Sequence, residues 1–298
     1  MDFVWSVTGH CNLKCPGCWD PFAHERAASY ADLLQSLDGL DLEGCNVVTF
    51  TGGEPLLHPH IFQIIRRLRA EGVPEVKICT NGTLLRRKAR ELVESGVTEI
   101  HVSLDSTDED SHASIGNKDP RASAELILSE LRAFRAIVDS LHATIGIVLV
   151  SVLDPRHVQR FEKVVNYARD NGYRVSYQLL CPFAAWLPQV EAQAGGVRSF
   201  LRALESLHSR YSGTLNVFDM LYLSAAKRYI LTGEHDPCGA GQNFQVIEPN
   251  GERNSCYRKP SDPVNMGCFD ERCLIWYRSG RRAERLLQMV RAPREVTR

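Results

Sequence analysis

Six short runs rich in β-branched and aromatic residues alternate with longer stretches of helical periodicity, and this alternation constrains the fold more than any other feature of the chain. The runs are FVWSVT (3–8), NVVTFT (46–51), EVKICT (75–80), EIHVSLD (99–105), ATIGIVLVS (143–151) and RVSYQLL (174–180). Between them, SYADLLQSL (29–37), HIFQIIRRLRAEG (60–72), LLRRKARELVESG (84–96), ASAELILSELRAFRAIV (122–138) and PRHVQRFEKVVNYARDNG (155–172) read as helices, the first with Ser29 as its N-cap. Repeated strand–helix units predict an α/β fold with a parallel sheet and right-handed crossovers. Six units rather than eight favour a partial (β/α)6 barrel of TIM-like type, although periodicity leaves a flat doubly wound sheet open. With 298 residues, 44% of them apolar, the chain can bury a large core.

Parallel sheets gather ligands at the C-terminal ends of their strands, so each strand end is a place to look for chemistry. The first run leads into TGHCNLKCPGCW (8–19), which carries Cys11, Cys15 and Cys18 in a Cys-x3-Cys-x2-Cys spacing. The second ends in TGGEP (51–55), the third in CTNGT (79–83), the fourth in SLDS (103–106) and the sixth in Cys181. A structural zinc site wants four closed ligands, yet the next cysteine, Cys45, precedes a strand at the opposite end of the sheet. Three thiolates holding a 4Fe-4S cluster leave one iron free to bind a small molecule.

Together, Cys11, Cys15 and Cys18 followed one strand later by Gly52, Gly53, Glu54 and Pro55 closely resemble the radical S-adenosylmethionine enzymes over roughly residues 3 to 181. The resemblance implies a cluster whose open iron chelates S-adenosylmethionine, electron transfer that cleaves the sulfonium, and a 5′-deoxyadenosyl radical that takes a hydrogen atom from substrate. It also implies that Gly52, Gly53 and Glu54 meet the methionyl amino group, and that Asn81, Ser103 and Asp105 lie where the family contacts the ribose or methionyl end. The place before the third cysteine, usually aromatic in the family, is Gly17, with Trp19 on the other side. An external electron donor such as flavodoxin or ferredoxin is expected.

A second cysteine group follows, comprising Cys238, Cys256, Cys268 and Cys273, with twelve residues between Cys238 and Gly251 and four between Gly251 and Cys256. This spacing resembles the opening of SPASM and twitch domains, whose hairpin carries ligands of an auxiliary cluster. The Asn250-Gly251 pair is a hairpin turn on its own account. Four cysteines favour the shorter twitch arrangement with a second 4Fe-4S cluster, while zinc would satisfy four thiolates equally well. The expected organisation is a barrel at 1–182, a helical linker region at 183–235 and a twitch-like domain with a C-terminal helix at 236–298.

Cys45 and Cys79 read as small packed residues. Cys181, at the end of the sixth run, is the candidate hydrogen-atom donor. If hydrogen leaves one face of a substrate carbon and Cys181 returns it to the other, the outcome is inversion. The twitch resemblance then points to a small carbohydrate-like substrate and to aminoglycoside or aminocyclitol epimerases and dehydrogenases. A peptide-modifying SPASM-type enzyme is the nearest rival, disfavoured because the first run begins at residue 3 and leaves no room for a leading recognition domain. A sugar-nucleotide decarboxylase or dehydratase, and a non-catalytic metal-binding module with no use for GGEP, are further readings. Asp20, Tyr177, Gln178 and Arg258 are candidates to face substrate.

Thirty-five basic against thirty-six acidic residues argue against a nucleic-acid partner, and the basic C-terminal stretch reads as a solvated face. No apolar run reaches the ~20 residues of a membrane span, and no signal-peptide pattern is seen, so a cytoplasmic location is expected. There, ten cysteines suit metal sites or catalysis better than disulfides.

Overall fold

The computed structural model describes residues 1–15, 18, 28–108, 119–179, 196–215, 223–224, 227–228, 231 and 244–255. Eight strands form one sheet: β1 (Asp2–Thr8), β2 (Val47–Gly52), β3 (Glu75–Thr80), β4 (Glu99–Ser103), β5 (Gly146–Leu153), β6 (Arg174–Leu179), β7 (Phe244–Ile247) and β8 (Arg253–Asn254). The helices are α1 (Tyr30–Asp38), α2 (Ile61–Ala70), α3 (Leu85–Ser95), α4 (Ala124–Ser140), α5 (Val158–Asp170) and α6 (Gly196–Arg210).

The strand order is β6-β5-β4-β3-β2-β1-β7-β8, and β1 to β6 pair in parallel with their sequence neighbours. This order decides between the two arrangements left open by periodicity. A doubly wound sheet reverses its strand order at a switch point. Here the order never reverses through six strands, so right-handed crossovers set the helices on one face, as in a partial (β/α)6 barrel. All seven residues of β1 are buried, so both of its faces are covered. Trp5 stacks on Phe50 at 5.7 Å between ring centroids, and the apolar stripe of α2 (Ile61, Ile64, Ile65, Leu68) joins the same core.

Local chemistry sets the helix ends. Ser29 and Asp32 form a reciprocal capping box at α1, an arrangement worth about 1 kcal/mol. Ser123 caps α4 through the Leu126 amide, and Gly96 ends α3 with a φ of 85°.

The last two strands flank the turn that the sequence marks at Asn250-Gly251. The hairpin around Asn250-Gly251 is present, with Gly251 at a φ of 84° and β7 antiparallel to β8. β7 pairs in parallel with β1, from Asp2↔Phe244 to Trp5↔Ile247, and so extends the barrel's own sheet. At the other edge, β6 carries a single bridge from Val175 to Leu215.

On the sheet, Glu99 gathers three basic partners. His101 lies 2.5 Å and Lys77 3.4 Å from Oε1, and Arg174 reaches Oε2 from two strands away. Gly146 stands in register with Glu99, and a Cβ there would meet both Glu99 and Arg174. Burial alone would raise the Glu99 carboxyl, but the His101 hydrogen bond and the charges of His101, Lys77 and Arg174 outweigh it and hold the group well below the usual carboxylate range.

Candidate active site

The cysteine loop leaves the C-terminal end of β1 and is tied by backbone to the turn that follows β2. Gly53 N donates to Thr8 O at 2.7 Å, and Glu54 N donates to His10 O at 2.8 Å. That approach leaves no room for side chains. A Cβ on Gly53 would lie 2.3 Å from His10 O, and one on Gly52, whose φ is 122°, would lie 2.2 Å from Thr8 O. The two glycines are therefore required by the packing of one loop on another.

Glu54 is fully buried and caps the short 3-10 turn Pro55–Leu57. Its carboxylate accepts from Leu56 N at 3.1 Å, Asn81 N at 2.8 Å, and Thr80 Oγ1 at 2.9 and 3.0 Å. Burial pushes its pKa up to about 7, against the lowering effect of these hydrogen bonds. Its described contacts thus join β2 to β3, where the sequence placed it against a ligand's amino group.

Asn81 is equally engaged. Its Nδ2 donates to Asn12 Oδ1 at 2.9 Å and to Cys11 Sγ at 3.6 Å, while its Oδ1 accepts from Thr83 N and Thr83 Oγ1. Asn12 Nδ2 completes the ring on Thr83 Oγ1 at 2.8 Å. Ser103 ends β4 half-buried, in register with Val150, and Asp105 Oδ1 accepts from Val152 N at 2.7 Å. Asn81, Ser103 and Asp105 all lie at C-terminal strand ends, as expected from their positions.

Cys11 and Cys18 are exposed and Cys15 is half-buried. Amide donors point at two of the sulfurs: Leu13 N at 3.4 Å from Cys11 Sγ and Asp119 N at 3.4 Å from Cys15 Sγ. Burial raises the Cys11 thiol, and the Leu13 amide opposes it. Among the described residues, no three His, Cys, Asp or Glu side chains converge on a single metal ion. Exposed thiols with N–H donors fit instead a multinuclear cluster, where thiolates bind separate irons and hydrogen bonds to sulfur tune the potential.

Cys181, Cys238, Cys256, Cys268 and Cys273 lie outside the described residues, as do Asp20 and Arg258. Cys45 is buried, its Sγ 3.6 Å from Val47 O, and burial pushes its pKa up to about 11, in keeping with a packing role. Cys79 is half-buried. Tyr177 is fully buried against Phe161, and its hydroxyl shares a 2.9 Å hydrogen bond with His208 of α6. Gln178, its neighbour, is half-buried.

Several residues of this site escaped the sequence reading. Thr80, Asn12 and Thr83 sit inside motifs whose other members drew attention. Asp119 lies more than a hundred positions from Cys15, and no local pattern links the two.

An open parallel α/β sheet with three cysteines after its first strand and a Gly-Gly-Glu-Pro turn after its second defines an S-adenosylmethionine-dependent class of iron–sulfur enzymes. The chain belongs to the Radical SAM superfamily, whose pattern matches residues 5–182. Curated relatives include the GTP 3',8-cyclase of Lactiplantibacillus plantarum, 27% identical over 223 residues, covering 72% of this chain and 59% of that protein. The GTP 3',8-cyclase of Chlorobaculum tepidum is 31% identical over 190 residues, covering 61% of this chain and 54% of its own length. The chain thus spans little more than half the length of these relatives, which carry a cyclase name where the sequence reading looked to aminoglycoside enzymes. Among solved structures, anSMEcpe with bound AdoMet superposes with a TM-score of 0.57 at 18% identity, covering 95% of this chain and 82% of that one. Streptococcus suis SuiB bound to S-adenosylmethionine gives 0.59 at 16% identity, covering 93% and 63%. Both likenesses are of fold.

Proposed function

We propose that the chain cleaves S-adenosylmethionine reductively and abstracts a hydrogen atom from a carbinol carbon of a small carbohydrate-like substrate, acting as an aminoglycoside epimerase. In this reading Cys11, Cys15 and Cys18 hold a 4Fe-4S cluster, which when bound supplies the electron for sulfonium cleavage. The observation that carries it is the joining of the cysteine loop to the ends of β2 and β3, where Asn81 donates to Cys11 Sγ and Glu54 locks the adjoining turn.

The chain's own residues have distinct tasks. Gly52 and Gly53 let the loop and turn close on each other, and Glu54, Asn81, Ser103 and Asp105 shape the strand ends that receive S-adenosylmethionine. Cys181, two residues in sequence beyond β6, returns a hydrogen atom to the opposite face of the carbon. Its sulfur then needs one electron and one proton from the reducing system. Cys238, Cys256, Cys268 and Cys273 hold a second 4Fe-4S cluster in a twitch-like domain at 236–298, after a linker region at 183–235 and the barrel at 1–182. The protein works in the cytoplasm with an external electron donor.

A peptide substrate is the second reading, supported by fold likeness to SuiB, which has been solved with the precursor peptide SuiA. A test of both uses anaerobically reconstituted protein with reductant and S-adenosylmethionine, scoring 5′-deoxyadenosine release against aminoglycosides, peptides and GTP. Aminoglycoside-dependent release, deuterium at an inverted carbon in deuterium oxide, and loss of inversion in Cys181→Ala are the expected results. Release that depends on peptide or GTP alone overturns the epimerase. Undiminished release after Cys15→Ala overturns radical chemistry at this site.

A further inference from the structure

Asp119 stands against the cysteine loop from the far side of the β4–α4 connection and holds it in two ways at once. Its backbone N–H points at Cys15 Sγ, 3.4 Å away, and its carboxylate Oδ2 accepts from the Lys14 amide at 2.6 Å. The same carboxylate takes the Arg121 side chain in a fork, Nε at 3.0 Å from Oδ1 and the terminal nitrogen at 2.6 Å from Oδ2, with the Arg121 amide at 2.9 Å from Oδ1. Asp119 is only 6% exposed, whereas the Arg121 side chain that grips it faces solvent. The forked geometry is the orientation-specific form of an arginine–carboxylate pair.

We propose that Asp119 is a positioning residue for the cluster-binding loop, fixing Lys14 and Cys15 while holding the Arg121 cation on the same carboxylate that receives the Lys14 amide. The proposal rests on the reading of Cys11, Cys15 and Cys18 as cluster ligands. Two consequences follow from the chemistry of sulfur ligands. A ligand loop that loses its outer partner releases its metal more readily. A cation and an N–H donor near thiolate sulfur stabilise the more negative, reduced cluster and raise its potential. The staple thereby makes the cluster itself easier to reduce with a biological reductant.

The test measures cluster properties rather than turnover. In reconstituted Asp119→Ala, iron loss to a chelator is expected about tenfold faster than in the wild type. In Arg121→Ala, whose side chain is mostly exposed, the midpoint potential by electron paramagnetic resonance titration moves to a more negative value, and Arg121→Lys restores it. Should Asp119→Ala fail to fold, Asp119→Asn, which keeps an acceptor for the Lys14 amide but weakens the arginine fork, is expected to lose iron to the chelator faster than the wild type. Wild-type chelation rates in Asp119→Ala, or a wild-type midpoint in Arg121→Ala, overturn the inference. A wild-type protein that binds no cluster through Cys11, Cys15 and Cys18 overturns instead the reading on which it rests.

Discussion

Thr80 Oγ1 sits 2.9 Å from one oxygen of the Glu54 carboxylate and 3.0 Å from the other, bridging the end of β3 to the turn that follows β2. Both residues are buried, so the hydroxyl has no water to replace it. Thr80→Val keeps the shape and removes the donor. It is expected to destabilise the protein by about 1.5–3 kcal/mol, the worth of a hydrogen bond to a charged group, as measured by chemical denaturation of the metal-free protein.

Glu54 titrates within a window that can be read directly. Its folded-state pKa of about 7 lies above the ordinary 4.5, so folding takes up a proton between these values. Stability from this group is present below pH 4.5 and is lost as pH rises through about 7. At ~1.4 kcal/mol per pKa unit the loss is on the order of 3 kcal/mol. The stability of Glu54→Gln relative to wild type should therefore rise across this window. A flat difference would place the carboxyl at its ordinary pKa.

His208 acts in the opposite sense. Burial pushes its pKa down to about 4 from 6.5, so its contribution is complete above pH 6.5 and is lost as pH falls through about 4. Over pH 4.5 to 6.5 the two buried groups offset each other. The wild type should show a shallow stability profile there, and His208→Gln should expose the falling limb from Glu54.

Tyr177→Phe separates packing from chemistry. The variant leaves buried His208 without its 2.9 Å partner and should cost about 1–3 kcal/mol in denaturation. Cleavage of S-adenosylmethionine per bound cluster should stay at the wild-type rate, because the residue packs against Phe161 and His208.

Gly53→Ala tests the close approach of loop and turn. A methyl group 2.3 Å from His10 O must push the cysteine loop away. Iron content after reconstitution should fall severalfold, the scale of disturbing the surroundings of metal ligands. Thermal unfolding of the metal-free protein should shift less than in Thr80→Val, since the loop is more exposed than the strand end.

Much of the fold was legible because its signals are local. The alternating runs located β1 to β6, Ser29 marked a helix start that the structure completes with Asp32, and Asn250-Gly251 marked a turn whose glycine has positive φ. The site's outline was legible for the same reason, since Cys11, Cys15, Cys18 and the GGEP turn each fall within a few residues of a strand end. Roles were harder to read. Tyr177 looked like a polar residue near a ligand and is a buried partner of His208, thirty-one positions away.

The chain's own order of residues determined which segments become strands and helices, and where thiols, glycines and the buried acid fall at strand ends. These outcomes follow from periodicity and turn chemistry that act over a few residues. Only the tertiary structure decided that the strand order never reverses, that β7 joins β1, that Glu99 collects charge across Gly146, and that Asp119 grips Cys15. Each of these depends on pairings between residues tens to hundreds of positions apart, which form only when the sheet closes and water leaves, and no local pattern encodes them.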